Sequence, residues 1–125
     1  MSALVDTSVL IDFLRARPEA VDLLQRERAT EPLHASEITR VEILTGMHRE
    51  EEAGTRALLE ALVWHPVDAE VAEIAGDLGR RWRPVHRAMD GADLAIAATA
   101  QLGGHRLLTL NVRHFPMFAD LEPPY

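Results

Sequence analysis

Ala3-Leu4-Val5-Asp6-Thr7-Ser8-Val9-Leu10-Ile11 is the stretch that decides the fold. Ala3-Leu4-Val5 is a short apolar run with the character of a buried strand, and a helix begins directly behind it at Thr7. A strand that passes straight into a helix is the repeating unit of an α/β fold. Between the two stands Asp6, a carboxylate closing an apolar run.

Working outward, the pattern predicts a strand at 2–6, helices at 7–15 and 18–28, and an extended piece around 32–35. Helices at 36–49 and 54–62 follow, then an extended stretch at 63–67. A helix at 69–83 takes Asp68 as N-cap, and another runs over 91–102 to Gly103-Gly104. Arg106-Leu107-Leu108-Thr109 reads as the last strand, before a short Pro-rich tail. Pro18 suits a first helical turn, while Pro66 and Pro84 suit breaks between elements. The expected architecture is a single α/β domain over residues 1–125, with a short, mostly parallel central sheet flanked by helices. Ligands collect at the carboxyl ends of such strands. Asp6 and Asn111, each following a strand, are placed to reach one crevice.

Two further carboxylates sit in apolar company. Asp93 lies in Gly91-Ala92-Asp93-Leu94-Ala95-Ile96-Ala97-Ala98-Thr99-Ala100, where its i+3, i+4 and i+7 neighbours are Ile96, Ala97 and Ala100. Glu42 follows Ile38 by four residues and precedes Thr45 by three, at the edge of a buried helical stripe. An ionised carboxylate in apolar surroundings is costly unless paired or bound to a metal. Three of them suggest a common partner, and a hard divalent cation such as Mg²⁺ suits several oxygens.

Composition narrows the chemistry. The 125 residues carry net charge −7, with 47% apolar and 26% charged residues, as in ordinary globular proteins. No apolar run reaches the ~18 residues of a membrane span and no secretory signal opens the chain, so a cytoplasmic protein is expected. The absence of cysteine removes thiolate zinc sites, Fe–S clusters and cysteine nucleophiles. All 13 basic residues are Arg, which excludes P-loop, Schiff-base and kinase-type lysine chemistry. Setting aside the three carboxylates still leaves −4, so contact with nucleic acid must rest on local Arg patches and a metal. Arg80-Arg81-Trp82-Arg83, with Arg87 beyond, is the densest patch; it reads equally as a solvated helix end or a phosphate grip.

Each candidate has a structural alternative. Asp6 can serve as a helix N-cap, which is compatible with a metal role. Glu42 can pair with Arg40, Arg49 or a distant Arg. Asp90 reads as a solvated or capping residue, and Asp12 and Glu50-Glu51-Glu52 as exposed surface. The six histidines form no HExxH or other close pair at ligand spacing, which argues against zinc. His114 reads as a structural histidine within reach of substrate. Ser8 has no sequence-adjacent base and lies in no G-x-S-x-G elbow, which argues against a serine hydrolase.

Taken together, these segments resemble a known family. Residues 4–12, Leu-Val-Asp-Thr-Ser-Val-Leu-Ile-Asp, resemble the opening of PIN-domain ribonucleases, and residues 38–46, from Ile38 to Gly46, the motif that carries the family's glutamate. Residues 93–100 resemble its third acidic motif and residues 107–115 its fourth, in the same order and spacing. Within the family, VapC-type toxins of bacterial toxin–antitoxin pairs are the most similar.

The resemblance implies a metal-dependent endoribonuclease using Mg²⁺ or Mn²⁺, held inactive by a VapB-type antitoxin and forming a homodimer. Residue by residue, it implies an acidic site of Asp6, Glu42 and Asp93, with Thr109 as a hydroxyl beside it. Many members have an aspartate where this chain has Asn111, so the site has three formal charges, and Asn111 is either an accessory ligand or a turn residue. Single-stranded or loop RNA is the expected substrate. Two rival readings are a degenerate PIN domain that only binds RNA or protein, and an Asp-dependent phosphatase. The latter would want a second Asp where Ser8 stands.

Overall fold

A computed structural model describes all residues, 1–125. Four three-residue strands, β1 (Ala3–Val5), β2 (His34–Ser36), β3 (Val63–His65) and β4 (Arg106–Leu108), form one sheet in the order β3-β2-β1-β4. Every pairing is parallel, where a mostly parallel sheet was expected. Helices α1 (Thr7–Leu14), α2 (Pro18–Arg28), α3 (Glu37–Thr45), α4 (Glu52–Glu60), α5 (Ala69–Trp82) and α6 (Gly91–Gly103) make the connections.

The strands are too short to alternate visibly, because both faces are covered. Ala3 and Val5 pack with Val9, Leu10, Leu24 and Leu59 beneath α1, α2 and α4. Leu4 and Leu107 turn the other way, onto Leu78, Ile96 and Ala97 of α5 and α6. Helix α6 is buried continuously from Asp93 to Ala100, between the sheet and α5, which explains its apolar sequence. Its end is set by Gly104, at φ 67°, a left-handed C-cap conformation that suits glycine.

One expected boundary fails. The helix foreseen over 36–49 stops at Thr45, and a 3₁₀ turn at Arg49–Glu51 leads into α4. Gly46 caps the helix, Thr45 Oγ1 spends itself on the Val41 carbonyl, and the Glu51 side chain accepts the His48 N–H to start the next turn.

The strand order reverses at β1: the chain moves outward through β2 and β3, then returns to place β4 on the opposite side of β1. In parallel sheets the crevice at such a reversal, beyond the carboxyl ends of the strands, is where ligands bind.

Candidate active site

Asp6 ends β1 at that crevice. It is an N-cap by backbone conformation (φ −73°, ψ 154°), yet its carboxylate makes no capping bond to α1. Its Oδ2 instead accepts the hydroxyls of Ser8 at 2.8 Å and Thr109 at 2.7 Å. The acceptor side of each hydroxyl is already filled, Ser8 by the Leu110 N–H and Thr109 by the Asn111 N–H. Both hydroxyl protons are therefore aimed at Asp6, a group 3% exposed, and the bond to Thr109 joins the ends of β1 and β4.

Asp93 occupies the first turn of α6 in a capping box with Asp90. The Asp93 N–H donates to Asp90 Oδ1 and the Asp90 N–H donates to Asp93 Oδ2. The same Oδ2 lies 3.1 Å from His114 Nδ1. Burial pushes the Asp93 carboxyl up to about 6; the Asp90 N–H and His114 pull it back, and the Asp90 charge adds to the rise. Asp90 is thus the capping residue of its two readings.

Glu42 differs from expectation in burial: it is exposed, while Thr39 and Ile43 beside it are buried. Its Oε1 accepts the Thr7 hydroxyl at 2.7 Å, and Thr7 also touches Thr39 at 3.0 Å. Arg40, the nearest rival partner, is taken by Glu37 and lies over the Trp64 ring. Thr7 ties α3 to the start of α1, one residue from Asp6.

Each of the three carboxylates thus has one oxygen held by protein donors. No buried side-chain oxygen in the molecule lacks a partner, so the second oxygen of each reaches solvent. The three are not a tight cluster, since the one trio of acidic or imidazole groups with ligand atoms within 4.8 Å of one another lies elsewhere. Each is anchored separately by hydroxyls or a helix cap, which keeps like charges apart.

Asn111 is exposed and its side chain caps nothing, although its carbonyl accepts the His114 N–H at 2.9 Å. That turn carries His114 to Asp93. The residues that sequence reasoning missed are Thr7 and Ser8, which orient the acids, and His114 as a partner of Asp93. The only available signal for the first two was hydroxyls directly following an aspartate at a strand end. Asp12 is half-buried and accepts from Tyr125 and Arg17, where an exposed surface residue was expected. This bond and burial push the Tyr125 phenol up.

Next to the first turn of α6, Arg80, Arg83 and Arg87 line one open groove of about 700 Å³ with Gly76, Gly79 and Leu94. Arg80 makes only a long, exposed contact to Asp77 at 3.4 Å. The groove collects guanidinium groups on the Leu94 side of the acidic crevice.

A family model described as the PIN domain matches residues 3–120. The chain is 46% identical over 123 residues to Ribonuclease VapC19 of Mycobacterium tuberculosis (strain ATCC 25618 / H37Rv), with 98% of each chain covered. It is 40% identical over 122 residues to Ribonuclease VapC10 of the same strain, covering 98% of this chain and 92% of that one. Among solved structures it matches a toxin–antitoxin complex from Klebsiella pneumoniae with TM-score 0.83 and 31% identity, over 99% of this chain and 98% of that one.

Proposed function

The chain belongs to the PIN domain family, and from that membership we propose that it is a metal-dependent endoribonuclease, the toxin of a VapBC-type toxin–antitoxin pair. The observation that carries this reading is the arrangement of Asp6, Glu42 and Asp93 at the sheet's carboxyl edge, each with one oxygen held and one directed to solvent.

The donor set fits Mg²⁺ or Mn²⁺. All three groups are hard oxygen donors, and Mg²⁺ is ordinarily bound by one or two carboxylates while keeping several waters. Carboxylates spaced more widely than a closed cage suit such a hydrated ion. When bound, the cation supplies Lewis acidity, making a water nucleophilic at neutral pH and offsetting charge on the phosphoryl oxygens.

The chain's own residues do the rest. Ser8 and Thr109 fix the Asp6 carboxylate in one orientation through Oδ2, which leaves Oδ1 to hold an ion that would bind there. Thr7 does the same for Glu42, and the α6 capping box for Asp93. His114 Nδ1, 3.1 Å from Asp93, is a second place to hold a proton beside the acids. Arg80, Arg83 and Arg87 are placed to grip a flanking phosphate of the RNA.

The antitoxin partner is supported by the likeness to the toxin–antitoxin complex of Klebsiella pneumoniae and by the net charge of −7, which favours a basic partner segment. A surface patch of exposed Val41, Pro66 and Val67 beside β3, with half-buried Ile38 at its base, offers a face for a homodimer. No helix is long and apolar enough to cross a membrane.

The decisive experiment is cleavage of single-stranded RNA by the purified chain with Mg²⁺ or Mn²⁺. Activity should vanish in EDTA and fall at least ~100-fold in Asp6→Asn and Asp93→Asn, the loss of a few kcal/mol of transition-state stabilisation. Full activity in excess chelator, or in folded Asp93→Asn, would overturn the assignment.

A further inference from the structure

At the opposite end of α6 from Asp93, three imidazoles meet. His34 opens β2, His65 closes β3 and His105 immediately precedes β4. Their register puts them on one face of the sheet. Leu4, which points to α6, is paired with His34 and with Leu107, and His105 is two residues before Leu107. Val63 is paired with His34, and His65 follows it by two. One ligand nitrogen from each ring lies within 4.8 Å of the other two. The ring centroids are 4.4, 5.0 and 5.3 Å apart, and His34 Nδ1 lies 2.8 Å from His65 Nε2.

Two further details point to a ligand role for the trio. The Ser2 hydroxyl bonds His105 Nδ1, the kind of outer contact that fixes a ligating imidazole. Gly103 makes room for the same ring, since a Cβ there would collide with His105 Nε2. His105 also directly follows the C-terminal turn of α6, the negative end of the helix dipole, where a cation is favoured. Burial, and the mutual influence of the imidazoles, hold His34 and His105 below the usual histidine range; Glu31 opposes this weakly at His34. The lowered pKa favours the neutral imidazole, which is the form that binds metals.

We propose that His34, His65 and His105 form a binding site for a borderline divalent transition-metal ion, Zn²⁺, distinct from the acidic crevice. Three nitrogens without a carboxylate or thiolate suit Zn²⁺ and not Mg²⁺. Ten residues of α6 separate Asp93 from Gly103, about 15 Å along the helix, so the two sites hold separate ions. On binding, the half-exposed rings turn edge-on to the ion and give up the His34–His65 hydrogen bond. Three protein ligands leave a fourth position for water. Because the ligands come from β2, β3 and the approach to β4, the ion ties those strands together. Histidine spacing along the sequence does not record this trio, because parallel strands bring together residues 31 and 40 positions apart.

The test is calorimetric titration of Zn²⁺ into the full chain, freed of any histidine tag, in excess Mg²⁺, together with visible absorption of Co²⁺ as a stand-in. One equivalent of Zn²⁺ should bind, and Co²⁺ should give the intense bands of a four-coordinate nitrogen site. His34→Gln and His105→Gln should each weaken Zn²⁺ at least about tenfold. Zn²⁺ should also raise the melting temperature of the wild type and not of the variants. Unchanged Zn²⁺ affinity in both folded variants would overturn the proposal. If the variants do not fold, the wild-type Co²⁺ spectrum decides alone, and a weak six-coordinate spectrum overturns it.

Discussion

Thr109 Oγ1 lies 2.7 Å from Asp6 Oδ2, a bond between residues 103 positions apart that closes the reversal point of the sheet. Thr109 is fully buried, and its oxygen also accepts the Asn111 N–H. Thr109→Val keeps the shape, removes the donor to Asp6 and strands that N–H. Stability should fall by about 1–2 kcal/mol. If the bond orients Asp6 for catalysis, kcat should drop about tenfold with little change in KM, and Thr109→Ser should restore both. Equal turnover in the Val variant would mean that Ser8 alone holds the carboxylate.

Asp93 gives the metal-free protein a distinctive dependence on pH. Its carboxyl is raised from the ordinary 3.8 to about 6, chiefly by burial. Between about pH 4 and 6 the folded chain therefore keeps a proton that the unfolded chain has released. Stability falls as pH rises through that window, and the deficit persists above it. Asp93→Asn removes this effect, so in EDTA the variant should exceed wild type by about 1 kcal/mol at neutral pH, allowing for solvent screening at the crevice mouth. The difference should vanish below about pH 4. His34 and His105 act oppositely: their lowered pKa values cost stability as pH falls below about 6.5, and Asp93→Asn should leave that acid-side loss exposed. Urea denaturation from pH 4 to 8 reads both; a difference independent of pH would contradict the role given to Asp93.

Asn111 is the chain's departure from the commoner family pattern. Its backbone carbonyl starts the turn to His114, while its side chain makes no cap. Asn111→Asp adds a fourth carboxylate between Thr109 and His114, which should tighten Mn²⁺ several-fold and lower metal-free stability through repulsion. Calorimetric titration of Mn²⁺ into both proteins measures the change. Identical affinity and stoichiometry would confine the acidic site to Asp6, Glu42 and Asp93.

The sequence made the parallel sheet and the two buried aspartates readable for one reason: each was a local contrast, an apolar run against a charge. Asp68 and Gly104 were readable as helix ends for the same reason, since caps are written within three or four residues. Glu42 stands on α3 at the edge of a stripe that buries Thr39 and Ile43, as its spacing suggests, but its partner Thr7 belongs to another helix and leaves no local sign. Ser8 reads in sequence as a lone hydroxyl at the place of a phosphatase's second Asp, and its bonds, to Asp6 and the Leu110 N–H, depend on how β4 docks. The imidazole trio was invisible for the strongest form of that reason, since each member comes from a different strand.

The placement of β4 also bears on the protein's synthesis. Arg106–Leu108 falls within the last twenty residues of the chain, yet it supplies the strand beside β1 and leads to Thr109 and His114 at the acids. A growing polypeptide that has already made Asp6, Glu42 and Asp93 still lacks the strand that brings Asp6 its second hydroxyl and Asp93 its imidazole. Until β4 docks, the chain holds all three acids without the contacts that orient two of them, so pairing of the last strand and completion of the site are one event. Truncation before Arg106 should yield a product harmless to the cell that makes it.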